Sequence, residues 1–182
     1  SPTARRDTLP TAVVELAQAG AVSLWFEGID ESRAEISAEV QSVGGFRKCT
    51  TSQQTTLKTA HNNALALSGK AISYLASNPT GGTLYPYWFG TFLSSRFNTV
   101  DSHYDAIYDA FANKSVVYDC GCKKRYYAYV YPTQPYKIYL CKVFWTAPAL
   151  GRDSKAGTVI HEMSHFNVVA STDDYVYGAT GA

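Results

Sequence analysis

The pentapeptide His161-Glu162-Met163-Ser164-His165 constrains this chain more than any other feature. Histidines four positions apart share a face only on a helix, so the segment must be helical for its chemistry to exist. On that helix two imidazoles stand one turn apart, with a carboxylate beside the first. The arrangement suits a zinc ion held by His161 and His165, with Glu162 as general base next to it. Asp153 or Ser154 is placed to cap the helix, and Val159, Ile160 and Phe166 are expected to bury its other side. Gly157 permits close approach of a neighbouring backbone.

Two histidines leave a zinc site incomplete. No glutamate follows Glu162, and no histidine or methionine follows His165. The tail from Phe166 to Ala182 offers Asp173 and Asp174 as strong ligands. His61 and His103 fall on amphipathic segments and read as surface or packing histidines. By elimination the expected site is two histidines and one aspartate, with water in the open position. The bland reading of the aspartates is capping: Thr172 can start a helix whose positive end favours both carboxylates.

Composition bounds the setting. The 182 residues are 46% hydrophobic and 17% charged, which is a globular balance and long enough for one domain. A net charge of +1 gives no reason to expect nucleic acid as a partner. No apolar run approaches the ~20 residues of a membrane span. The four cysteines, Cys49, Cys120, Cys122 and Cys141, lack the paired spacing of a structural zinc site. They read instead as two disulfides in a secreted protein; Cys120 and Cys122 are too close to bridge each other, which leaves two connectivities.

Along the chain the texture changes near Gly44-Gly45, which reads as a flexible junction. Residues 1–46 hold no cysteine, contain a strand-like Ala21-Val22-Ser23-Leu24-Trp25-Phe26, and precede an Arg47-Lys48 pair that looks like an accessible processing site. They are expected to be the C-terminal part of a propeptide or an N-terminal extension, with residues 47–182 forming the catalytic domain; an N-terminal β element of the main domain is the alternative. Leu57, Ala60, Ala64, Leu67, Ala71 and Tyr74 recur at helical spacing, as do Phe89, Leu93, Phe97, Val100, Tyr104, Ile107 and Phe111. Two helices packed through these stripes are predicted. Two strands follow, Tyr126 to Tyr131 and Tyr136 to Val143, separated by Pro132 and Pro135.

At this point a family resemblance emerges. His161-Glu162-xx-His165 followed by Thr172-Asp173-Asp174-Tyr175-Val176-Tyr177-Gly178 resembles the aspzincins, which include deuterolysins and peptidyl-Lys metalloendopeptidases. Cys49-Thr50-Thr51-Ser52-Gln53-Gln54, Trp88-Phe89-Gly90, Tyr129-Val130-Tyr131-Pro132, Tyr139-Leu140-Cys141 and Asp153-Ser154-Lys155-Ala156-Gly157-Thr158 extend it over roughly Gly45 to the end. The resemblance implies an α+β, zincin-like catalytic domain, mainly helical with a small antiparallel sheet. It also implies disulfides Cys49–Cys120 and Cys122–Cys141, and one catalytic zinc ion. Asp174 becomes the third ligand, and Tyr177 the tyrosine near the scissile carbonyl; ordinary packing is its competing role. Ala170-Ser171 departs from the glycine-rich turn of many members. The implied protein is a secreted, monomeric zinc metalloendopeptidase acting on proteins or peptides, with its own propeptide as a further partner. A secreted zinc-binding effector without peptidase activity is the alternative from another class.

Overall fold

The computed structural model describes residues 43–79, 93–150 and 154–171. The expected strand at Ala21–Phe26, Trp88-Phe89-Gly90, Asp153, Thr172, Asp173, Asp174 and Tyr177 lie outside the described residues.

Thr50 and Gln53 start the first long helix, α1 (Thr51–Ser77), by capping each other reciprocally. Gln53 N donates to Thr50 Oγ1 at 3.1 Å, and Thr50 N donates to Gln53 Oε1 at 2.9 Å. Two of the orphan amides at the helix start are thereby satisfied. Asn78 and Pro79 stop the helix, and Asn78 Nδ2 returns to the carbonyl of Tyr74 at 2.8 Å. Leu57, Ala60, Ala64, Leu67, Ala71 and Leu75 bury one face of α1. They meet Val100, Tyr104, Ile107, Ala110 and Phe111 of α2 (Ser94–Asn113) in one core. The predicted stripes hold from Leu57 to Ala71 and from Phe97 to Phe111, with Phe89 outside the described residues. Tyr74 is half-buried while Leu75 takes the core position, and Leu93 is 51% exposed because it precedes the first turn of α2.

The sheet has four short strands: β1 (Val43–Arg47), β2 (Val116–Asp119), β3 (Ala128–Tyr129) and β4 (Lys137–Leu140), in the order β1-β2-β4-β3. The expectation of an antiparallel sheet needs correction, because the sheet is mixed. β1 pairs parallel with β2, β2 parallel with β4, and only β3 runs antiparallel, against β4. Parallel neighbours require a long crossover, and α1 with α2 supplies it between β1 and β2. Gly44 and Gly45 lie inside β1 rather than in a flexible junction. A Cβ on Gly44 would stand 1.9 Å from Ser115 Oγ, so the close approach of β1 to the start of β2 uses the missing side chain. Phe46 continues the strand and stacks over Tyr118 at 6.3 Å.

Both disulfides pair as the family resemblance implies, Cys49–Cys120 and Cys122–Cys141. They tie the start of α1 to the end of β2, and the segment after β2 to the end of β4. After a 3₁₀ turn at Lys142–Thr146, the last described helix is α3 (Lys155–His165). It packs against α1, α2 and the β3–β4 side of the sheet. Among the described residues no helix is long and apolar enough to cross a membrane.

Candidate metal centre

Ser154 fixes where α3 begins. Its Oγ accepts the amide of Gly157 at 2.9 Å, an N-cap that satisfies one donor of the first turn. Of the two caps expected, Ser154 is the one observed. Ala156, Val159, Ile160 and Met163 are fully buried, and so is Phe166, where the backbone leaves the helix for an extended conformation. The apolar stripe that anchors α3 therefore also fixes the direction of the intervening His161, Glu162 and His165.

His161 and His165 project together, with ring centroids 5.5 Å apart and planes crossed at 61°. His161 is half-buried, and Glu162 and His165 are each about 1% exposed. Both Nε2 atoms and both Glu162 oxygens are buried. Burial, and secondarily the neighbouring His165, hold the His161 imidazole well below its usual pKa. A neutral imidazole is the form that donates a lone pair to a metal. This donor set fits zinc: two neutral nitrogens one helical turn apart, with the Glu162 carboxylate next to His161 in the chain. Ser164 is tied down separately, its Oγ donating to the His161 carbonyl at 2.7 Å.

The chain is turned sharply behind His165. Val169 N and Ser171 N both donate to the Phe166 carbonyl, at 2.9 and 3.1 Å, and Ser171 adopts a left-handed φ of 50°. Asn167 N reaches the Pro132 carbonyl at 3.0 Å, and the Tyr136 ring packs on Phe166 at 6.0 Å. The Pro132–Tyr136 turn therefore braces the C-terminal end of the helix. Pro132 and Pro135 signalled a turn in the sequence, but nothing local signalled its contact with Phe166. Among the described residues no group of three metal-ligating side chains assembles, and Asp173, Asp174 and Tyr177 lie beyond Ser171.

His61 is a packing histidine, as expected. It is buried against Phe111 and Tyr118, its Nε2 donating to the Phe111 carbonyl at 2.9 Å and its Nδ1 accepting from the Tyr118 hydroxyl at 2.7 Å. Those partners fix the tautomer, since the carbonyl can only accept. His103 is half-buried on α2.

Parallel strands, one antiparallel edge strand and a core helix carrying the histidine pair define a metallopeptidase of the zincin class. A family model described as lysine-specific metallo-endopeptidase, that of the aspzincins, matches residues 74–182. The chain is 44% identical over 175 residues to an extracellular protease of Aeromonas hydrophila, covering 92% of this chain and 51% of that protein. It is 44% identical over 138 residues to a peptidyl-Lys metalloendopeptidase of Pleurotus ostreatus, covering 75% of this chain and 82% of that protein. The solved zinc peptidase from Grifola frondosa matches with a TM-score of 0.68 and 40% identity, over 71% of this chain and 80% of that one. The chain thus spans about half the length of the Aeromonas protein. This chain belongs to the aspzincin family of zinc metalloendopeptidases.

Proposed function

We propose that the chain carries the catalytic domain of a secreted endopeptidase that hydrolyses peptide bonds in proteins or peptides. The observation that carries this reading is the paired His161 and His165 rings of α3, with Glu162 and His165 buried beside a half-buried His161. His161, His165 and Asp174 would hold one zinc ion. When bound, that ion supplies a Lewis acid and lowers the pKa of a coordinated water. Glu162 takes a proton from the attacking water and passes it to the leaving amine. Tyr177 donates to the oxygen that becomes negative as the carbonyl is attacked. The substrate lies extended along the edge of β3 away from β4, pairing through its backbone. Residues before the catalytic domain act as the end of a propeptide.

A general base distinguishes this reading from that of a zinc-binding effector, because a purely structural site has no use for Glu162. Glu162→Ala is expected to abolish chelator-sensitive peptide hydrolysis while retaining one equivalent of zinc. Unchanged hydrolysis by that variant sinks the assignment. Asp174→Ala is expected to lose the metal, and full zinc content would move the third ligand elsewhere. Sequencing the cut sites in a peptide library reads the residue preference directly, including whether it shares the lysine preference for which its relatives are named.

A further inference from the structure

β3 ends the sheet and is only two residues long. Strands this short fray unless side chains hold them. On the helix side, Ala128 and Val130 are fully buried in the core. The alternate residues turn the other way, and there an aromatic column forms. Tyr129 faces Tyr139 of β4 in register, with rings 4.5 Å apart and 3° from parallel. The Tyr131 ring stands edge-on to both, at 5.6 Å from Tyr129 and 5.4 Å from Tyr139. Lys137 Nζ lies 4.9 Å from the centroid of Tyr139.

Among the described residues, no strand pairs with the outer edge of β3. Its one sheet neighbour among the described residues is β4, and its buried face lies toward α3, the helix of the histidine pair. Edge strands are commonly blunted by a charge, a proline or a bulge. Here Pro132 comes only after the strand, and the large side chains stand on the outer face, clear of the edge.

We propose that the Tyr129–Tyr139 stack, backed by Tyr131 and Lys137, is a positioning device that holds β3 straight as the template for an extended substrate. The inference rests on the peptidase reading above and adds residues remote from the chemistry. A strand held in register beforehand spares the substrate the cost of ordering it, so the stack acts on substrate binding and leaves the bond-breaking step alone. The effect grows with the length of peptide laid along the edge.

Kinetics on a series of peptides sharing one cleavable bond but differing in length test this. In Tyr139→Leu, KM for the longest peptide is expected to rise on the order of tenfold, the scale of one lost aromatic pair. The kcat stays within about twofold, the shortest peptide is unaffected and zinc content is equal. Tyr139→Phe keeps the ring and is expected to keep the wild-type KM. Equal losses on short and long peptides, or an unchanged KM on the longest, overturn the proposal. Should Tyr139→Leu not fold, Lys137→Ala serves in its place, with an expected two- to threefold rise on the longest peptide; no rise there also overturns it. Hydrogen exchange separates this inference from the peptidase reading. Amides of residues 127–130 are expected to exchange faster in Tyr139→Leu, and equal protection overturns the stack's role even if the wild type cleaves nothing. Lack of chelator-sensitive cleavage by the wild type counts against the peptidase reading instead.

Discussion

His61 is the residue whose environment departs furthest from what its neighbours in sequence suggest. Burial is the larger influence and pushes its pKa down to about 4, against a smaller opposing effect of the Phe111 carbonyl. Unfolded, it titrates near 6.5. Below pH 6.5 the unfolded chain binds a proton that the folded chain refuses, so stability falls as pH drops toward 4. The loss reaches about 3 kcal/mol, and urea unfolding across this range measures it; His61→Phe is expected to reduce the dependence by that amount, leaving the share of His103 and His161, which burial also depresses. The reason this residue reads as a surface or packing histidine and no more is distance: its partners are 50 and 57 positions away. The histidine pair of α3 is the opposite case, since its chemistry lies in a spacing of four and is legible from five letters. Lys48 offers a second test at this scale. It is exposed and holds a left-handed φ of 56°, a conformation that costs a side-chain-bearing residue about 1–2 kcal/mol. Lys48→Gly is expected to raise stability by about 1 kcal/mol after the entropy of the unfolded glycine is charged against it. A lower urea midpoint would contradict this.

Among the elements, the helices are legible, β3 and β4 are located but read too long, and β1 and β2 are not announced. α1 carries a capping box, a clean apolar stripe and a proline stop within one contiguous stretch. β2 has only four residues, and its pairings reach 72 or 73 positions back to β1 and about 20 forward to β4, so no local pattern announces it. The tyrosine-rich runs were read as longer strands than the four and two residues observed. β1 shows why the Arg47-Lys48 pair reads differently in the fold. The Arg47 carbonyl accepts from Cys120 N at 2.9 Å, Lys48 is left-handed, and Cys49 is bonded to Cys120. A protease needs an extended, released backbone, and both side chains can be exposed without providing one. Brief trypsin digestion of the native protein is expected to spare these two bonds. Recovery of a chain beginning at Lys48 or Cys49 would count against β1 as a fixed part of the sheet.

For the molecule as a whole, the disulfides are the largest single contributions that a simple experiment can remove. Cys49–Cys120 closes a sequence separation of 71, and Cys122–Cys141 one of 19. Loop-closure entropy assigns them about 4 and about 3 kcal/mol. Cys49→Ala with Cys120→Ala is therefore expected to lower stability more than the second pair, and equal losses by denaturant titration would show that strain or residual structure in the unfolded chain dominates. The family resemblance made both pairings legible, whereas spacing alone left two connectivities.

Only Gly121 separates the two bridged positions Cys120 and Cys122. One short stretch of chain thus holds covalent links both backward to the start of α1 and forward to the end of β4. A single cut anywhere between Cys49 and Cys120, or between Cys122 and Cys141, releases nothing. On the peptidase reading proposed above, one cut by a neighbouring copy inside either loop leaves a single particle of unchanged mass apart from the water added, and a reducing agent is what separates the pieces.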